Sequence, residues 1–279
     1  MEMGNLLHKV LEEFYKDLPQ KKRENKSFFQ DLEKAERALH ERIEELMPQS
    51  LFGREPLYRQ KIYSAWMRAA LSLFVATERE ALKDRELVPA YFELEFGGSK
   101  DKGKGDRLDC LKIPSEGGDI LIEGKIDRVD VIKNQNKALV VDYKLSEHPG
   151  SERLRANAIR GMELQIPLYL LAVERLLNME ALGGELHSLK KGKKSGLYRE
   201  SAAQVLGLKD KEACSDEEFK AILAGTERFV TEYVRRLRSA DISVRSKSCD
   251  HCPYSAVCRF EKWRLIYLQE AAPEEGPDE

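Results

Sequence analysis

Apolar residues recur every three to four positions over the first third of the chain and every second position through its middle. Leu7, Val10, Leu11 and Phe14 fall at i, i+3, i+4 and i+7, and "LYRQKIYSAWMRAALSLFVATEREAL" carries the same period through several turns. Between them "QDLEKAERALHERIEELM" mixes acids and bases on its outer faces, so a helical layer is expected over about residues 4–88. Beyond Pro89 the period changes. "AYFELEF" alternates, "DILIEGKIDRVDVI" reads as one long β run, and "KALVVDYKL" follows it across the turn-forming asparagines of "KNQNK". Helix resumes at "MELQIPLYLLAVERLLNM", two strands flank the basic turn of "ELHSLKKGKKSGLYRE", and "DEEFKAILAGTERFVTEYVRRLRSA" is an amphipathic helix. The fold class expected is α/β: a central mixed β-sheet flanked by helices, with an N-terminal helical elaboration, in one domain over 1–268. Its sheet core spans about 89–200 and its C-terminal helix and cysteine segment about 215–265, ahead of an acidic disordered tail at 269–279.

The strand pair at the centre raises a question of charge. Side chains two apart in a strand share a face, so Ala138, Val140, Asp142 and Lys144 point one way and Leu139, Val141, Tyr143 and Leu145 the other. A turn centred between Asn134 and Gln135 places Asp142 opposite Asp127. Carboxylates so placed have Cβ atoms roughly 5 Å apart and repel. Two outcomes relieve the repulsion: an ion-paired hairpin in which Lys144 or Arg128 neutralises an acid, or a hard cation such as Mg²⁺ or Mn²⁺. Two acids holding a divalent ion, with a lysine just beyond the second, suit phosphodiester hydrolysis.

Composition narrows the setting. The 279 residues are 42% hydrophobic and 34% charged, with no apolar run long enough to span a membrane and no secretory leader, so a cytoplasmic protein is expected. Net charge is −2, and without the five acids of the last ten residues the remainder carries +3. Basic clusters at "KDKGK", "KKGKK" and "RRLR" read first as solvated surface. Cys110 and Cys214 stand alone, whereas Cys249, Cys252 and Cys258 crowd into a C-x2-C-x5-C segment, a spacing that suits an intracellular metal centre better than disulfides. Zinc held with His251 is one reading, although that ring lies between two ligands.

"GKIDRVD" followed by "VVDYK" resembles the G-x-I-D…D-x-K core of PD-(D/E)XK nucleases, specifically the RecB and AddB nuclease domains. The likeness extends over residues 4–262. "GMELQIPLYLLAVE" carries Gln165 and Tyr169 in the Q-x-x-x-Y spacing of that branch, and "GNLLHKVLEEF" resembles its G-x-x-x-H-x-x-L-E helix. "PAYFELEFG" resembles the strand that supplies a further acid. Glu93 and Glu95 fit that role equally by spacing, and the family pattern favours Glu93. The resemblance implies His8, Asp127, Asp142 and the Tyr143 carbonyl as ligands of Mg²⁺ or Mn²⁺, Lys144 and Glu93 as further catalytic groups, and Gln165 and Tyr169 along the DNA path. It implies a [4Fe–4S] cluster on Cys249, Cys252 and Cys258.

The family's fourth cysteine stands before the histidine helix. This chain has none there, so either an N-terminal portion has been cut away, Cys110 or Cys214 substitutes, or the centre is incomplete; truncation is the expectation. The function implied is an exonuclease acting on single-stranded DNA within a helicase–nuclease repair protein. No G-x-x-x-x-G-K-[ST] loop occurs, so a motor would be a separate domain or polypeptide. Two other readings remain: a stand-alone iron–sulfur exonuclease like the CRISPR-associated relatives, and a non-catalytic module binding DNA ends. Intact Asp127, Asp142 and Lys144 disfavour the second.

Overall fold

The amphipathic period of the first helix is realised as a buried seam. In the computed structural model, which describes residues 2–24, 27–83, 86–98, 107–132, 134–208 and 212–241 with positions 254, 257 and 258, α1 (Glu2–Asp17) buries Leu6, Leu7, Val10, Leu11, Phe14 and Tyr15. After the short α2 (Gln20–Glu24), Asp31 caps α3 (Leu32–Leu46) by accepting the Lys34 amide at 3.0 Å. α3 and α4 (Leu57–Lys83) pack with α1 into one layer through Ala35, Leu39, Ile43, Met67, Leu71 and Phe74. The helical layer ends at Lys83, and the sheet begins four residues later at Leu87.

Strands β1 (Leu87–Phe96), β4 (Gly124–Ile132), β5 (Lys137–Lys144), β6 (Glu180–Ser188), β7 (Lys194–Arg199) and β8 (Ala213–Cys214) form a six-stranded sheet in that order, and β2 (Leu111–Ile113) pairs with β3 (Ile120–Ile122) in a separate two-stranded sheet. Pairing is mixed: β5 runs parallel to β6 and β7 to β8, and the other neighbours are antiparallel. α5 (Ser151–Ile159) and α6 (Gln165–Leu176) connect β5 to β6, and α7 (Ala203–Leu206) precedes β8. The second face of the sheet is covered by α5, α6 and α8 (Asp216–Arg238) through Leu154, Ile166, Leu170, Phe219 and Ile222. The α/β class with a mixed central sheet is thus as expected, and β5 divides its faces as its alternation dictates: Leu139, Val141 and Tyr143 join the first core, Ala138 and Val140 the second.

The long run "DILIEGKIDRVDVI" differs from its reading as one strand. It breaks at Glu123, so that β3 leaves for the two-stranded sheet. At the break the chain passes close to the end of β1: Gly97 has φ +83 and a Cβ there would lie 2.6 Å from Glu123 Cγ, so the position calls for glycine. Among the described residues no helix is long and apolar enough to cross a membrane.

The chain divides into two units, Met1–Thr231 and Glu232–Glu279. Within the second, Arg235 pairs with Glu232 at 2.7 Å and Arg236 with Asp241 at 2.9 Å, so part of the "RRLR" cluster is locally neutralised. "KDKGK" and the acidic tail lie outside the described residues.

Beneath the sheet lies a buried charged group. Glu78 of α4 meets Arg128 of β4 at 2.6 Å, Lys194 at 3.4 Å and His187 at 4.0 Å. Neither ring nitrogen of His187 has a hydrogen-bond partner among the described residues. Burial pushes its pKa down to about 3, with Lys194 adding to the shift and Glu78 opposing it. Burial would raise the Glu78 carboxyl, but Arg128, Lys194 and His187 outweigh it and hold it at about 2.

Both folded values lie below the ordinary 6.5 and 4.5, so the unfolded chain takes up these protons first as pH falls. The stability they contribute is complete above pH 6.5. It is lost toward pH 3 for His187 and from pH 4.5 toward 2 for Glu78. Asp130, Asp142, Glu93 and His8, all raised, act in the opposite sense. His187→Leu is therefore expected to lose less melting temperature than the parent between pH 6.5 and 4.5, the window in which His187 of the unfolded chain takes up its proton. An unchanged slope in the variant would contradict the assignment.

Candidate metal centre

Three elements converge at the end of the sheet where β5 finishes. The β4–β5 ladder pairs Arg128 with Val141, Val129 with Val140 and Asp130 with Leu139. This is the register that sets Asp127 against Asp142. On the other side β1 pairs Phe92 with Arg128 and Leu94 with Ile126, which sets Glu93 against Asp127. Glu93 has φ +48, in the left-handed region that a residue with a Cβ rarely adopts. The consequence is visible in the packing: Phe92 belongs to the first core, whereas Leu94 and Phe96 belong to the second. Residues two apart in an unbroken strand would share a face. The reversal therefore removes the equivalence of Glu93 and Glu95 that spacing suggests. Glu93 carries a carboxylate 8% exposed beside His8, whereas Glu95 is exposed and pairs with Arg107 at 3.4 Å. Such a residue is strained, and strain of this kind is kept where it aims a side chain.

His8 Nδ1, a Glu93 oxygen and an Asp127 oxygen lie within 4.8 Å of one another. His8 Nδ1 is 3.3 Å from Asp127 Oδ1 and 4.0 Å from Glu93 Oε1. The other ring nitrogen, Nε2, lies 2.9 Å from the Tyr143 carbonyl, which can only accept, so Nε2 is the donor and Nδ1 faces the two carboxylates. Asp127 Oδ2 accepts the Tyr143 amide at 2.8 Å. Burial alone would lower the His8 pKa, but the hydrogen bond and charge of Asp127, with Glu93, raise it above its ordinary value. Burial raises Glu93 too, Lys125 opposing and Asp127 reinforcing the shift. A divalent cation suits this donor set: one imidazole nitrogen and two carboxylates from three elements, with a negative charge that burial disfavours. The mixed set accommodates Mn²⁺ more readily than Mg²⁺, which prefers oxygen alone.

Asp142 lies beside this cluster rather than within it. Its Oδ2 meets Lys144 Nζ at 2.7 Å and its Oδ1 accepts from Gln165 Nε2 at 3.0 Å. Burial, with the charge of Asp127, pushes its pKa up to about 6 against the opposing pull of Lys144. Lys144 also donates to Gln165 Oε1 at 2.8 Å, and Gln165 Nε2 reaches the Tyr169 hydroxyl at 3.1 Å. The amide is thus oriented by its partners, oxygen toward the ammonium and nitrogen toward the acid. Gln165 is placed by the start of α6, where the Glu163 carboxylate accepts the amides of Gln165 at 2.9 Å and Ile166 at 3.3 Å. The Tyr169 ring meets the edge of Phe96.

The structure therefore brings together His8, Glu93 and Asp127 in one cluster and Asp142, Lys144, Gln165 and Tyr169 in an adjoining hydrogen-bonded chain, with the Tyr143 backbone between them. The Tyr143 carbonyl is taken up by His8. Lys125, which pairs with Glu93, was not singled out from the sequence. Its position opposite Glu95 across β1 and β4 depends on a pairing between strands some thirty residues apart, which no local pattern reveals. Cys249 and Cys252 lie outside the described residues, and Cys258 is exposed. Cys214 is a core residue: its thiol donates to the Tyr198 carbonyl at 3.3 Å and burial pushes its pKa up to about 11.

A mixed sheet flanked by helices, with acids and a lysine gathered where β4 begins and β5 ends, is the arrangement of a PD-(D/E)XK nuclease core. The profile of the PD-(D/E)XK nuclease superfamily matches residues 1–259, and the chain belongs to that superfamily. This agrees with the resemblance read from its motifs. Among curated proteins it is similar to a component of the ATP-dependent helicase/deoxyribonuclease of Alkaliphilus metalliredigens (strain QYMF), 23% identical over 93% of this chain and 27% of the relative. It is also similar to the components of that name from Lactococcus lactis subsp. cremoris (strain SK11), 25% identical over 68% of this chain and 20% of the relative, and Streptococcus pneumoniae (strain Hungary19A-6), 26% over 79% and 20%. The chain spans about a quarter of the length of these relatives or less.

Proposed function

We propose that the chain is a Mg²⁺- or Mn²⁺-dependent deoxyribonuclease, acting as an exonuclease on single-stranded DNA in the cytoplasm. Its nuclease domain fills residues 1–268 of a helicase–nuclease assembly. The observation that carries this reading is the convergence of His8, Glu93 and Asp127 within 4.8 Å beside the Asp142–Lys144 pair. A divalent ion bound there supplies polarisation of a phosphate oxygen and a lowered pKa for an attacking water. The chain's own residues do the rest. His8, Glu93 and Asp127 hold the ion, with Asp142 at its margin. Lys144, held by Asp142 and Gln165, presents an ammonium toward the charge that develops on the phosphate. Tyr169 and Gln165 offer a ring and an amide along the path of the strand.

The helicase partner rests on the names of the relatives. It is also supported by the outer side of α4, which leaves Tyr58, Ile62, Trp66 and Leu73 exposed, the kind of apolar surface a neighbouring domain covers. Cys249, Cys252 and Cys258 hold a [4Fe–4S] cluster in this reading, which rests on the resemblance of their segment to that of the RecB and AddB nuclease domains and leaves the fourth ligand to another residue or another part of the protein.

Incubating end-labelled single- and double-stranded DNA with anaerobically purified protein tests these points together. The expected result is a brown protein that degrades the single strand faster, with Mg²⁺ or Mn²⁺ and not with EDTA. Cleavage that survives EDTA would overturn the metal assignment, and a colourless preparation the cluster.

A further inference from the structure

One residue links both of the best-held candidate ligands. The Tyr143 amide donates to Asp127 at 2.8 Å and its carbonyl accepts from His8 at 2.9 Å. Its side chain leaves for the opposite side, into the first core, where the hydroxyl accepts from Arg128 Nη1 at 2.9 Å. The same nitrogen donates to the Tyr15 hydroxyl at 2.8 Å and faces Glu78 at 2.6 Å. The rest of the guanidinium forks onto Asp130, at 2.7 Å from Nε and 2.8 Å from Nη2. Arg128 is 1% exposed and Glu78 fully buried.

Tyr15 follows His8 by seven residues on α1, two helical turns, so the two lie on nearly the same face. One buried guanidinium therefore ties together the helix that carries His8, the strand that carries Asp127 one residue before it, and the residue whose backbone holds both.

We propose that Arg128 is a positioning residue for the divalent-cation site, acting through the hydroxyls of Tyr143 and Tyr15 to set His8 against Asp127. The proposal rests on the reading of His8, Glu93 and Asp127 as that site. Two physical points support it. A guanidinium in the interior is tolerated only when its charge is compensated, and Glu78 and Asp130 do so from two sides. The planar fork also fixes direction as well as distance, which an ammonium cannot do. The side chains of Arg128, Tyr15, Tyr143 and Glu78 are buried in the first core. The effect of the network is geometric, of the kind by which outer partners of metal ligands tune affinity by about 10- to 100-fold.

The test compares Tyr143→Phe and Tyr15→Phe, each of which deletes one hydroxyl and keeps the ring, with Tyr198→Phe. The last removes a buried hydroxyl bond to Glu185, 3.1 Å, on the same sheet, and Glu185 reaches Arg128 through Lys194 and Glu78. Mn²⁺ affinity is read by calorimetry on folded protein, and the melting temperature is read in EDTA. The expected result is Mn²⁺ binding weakened about tenfold in Tyr143→Phe and Tyr15→Phe and within twofold of the parent in Tyr198→Phe, although all three melt lower. Parent-like Mn²⁺ affinity in Tyr143→Phe, or equal weakening in all three, would overturn the proposal and leave a merely structural role. Should Tyr143→Phe fail to fold, Tyr15→Phe decides in the same way. Failure of the underlying metal reading looks different: the parent itself would then bind Mn²⁺ no better than Asp127→Asn does.

Discussion

Replacing Lys144 with alanine is expected to slow DNA cleavage about a thousandfold or more, near 4 kcal/mol of transition-state stabilisation, while DNA affinity stays within a few fold. The side chain is 35% exposed at the end of β5, so its loss leaves no large cavity. Its ammonium is held at 2.7 Å from Asp142 and 2.8 Å from Gln165, an alignment fixed before substrate arrives. Interactions pre-aligned in this way act on the charge that appears during reaction more than on the ground state. The loss should therefore fall on kcat rather than KM. Lys144→Ala cleaving at a near-parental rate would reduce the pair to an ordinary ion-paired strand end, which is what the sequence alone also allowed.

Asp127→Asn is expected to abolish cleavage and to weaken Mn²⁺ binding by at least about a hundredfold, the upper range reached by loss of even an outer partner. The substitution keeps the shape and an oxygen for the Tyr143 amide, now at 2.8 Å from Oδ2, and removes only the charge. The same change relieves a repulsion. The charge of Asp127 adds to the burial that raises both Glu93 and Asp142. In EDTA the variant should therefore melt at or above the temperature of the parent, while with Mn²⁺ it should gain less. A site that sacrifices stability for binding gives this opposite pair of effects. A variant that melts well below its parent in EDTA would mean that Asp127 serves the fold rather than an ion.

Much of the scaffold is written locally. The 3.6-residue stripe of Leu7, Val10, Leu11 and Phe14 places His8 at the margin of a buried seam. The alternation of β5 puts Asp142 and Lys144 on one face, and the asparagine turn fixes the register of β4 and β5 that sets Asp127 against Asp142. The rest depends on contacts distant in sequence. Glu93 becomes distinct from Glu95 only through a left-handed backbone in mid-strand, which a glutamate does not announce. Asp142 turns from the cluster because Lys144 and Gln165 hold both its oxygens, and Gln165 comes from the start of α6.

Arg128 enters the sequence reading only as a cation that could neutralise an acid of the hairpin. Its partners are instead Asp130, Glu78 and Tyr15, the last two brought in by separate helices that no local pattern pairs with it.

The central claim is that His8, Glu93 and Asp127 form a divalent-cation site. Anomalous diffraction from a crystal soaked in Mn²⁺ tests it most directly. The account predicts a peak within coordinating distance of His8 Nδ1 and carboxylate oxygens of Glu93 and Asp127, absent from Asp127→Asn crystals. Manganese at any other group of residues, with this cluster empty at saturating metal, would contradict it.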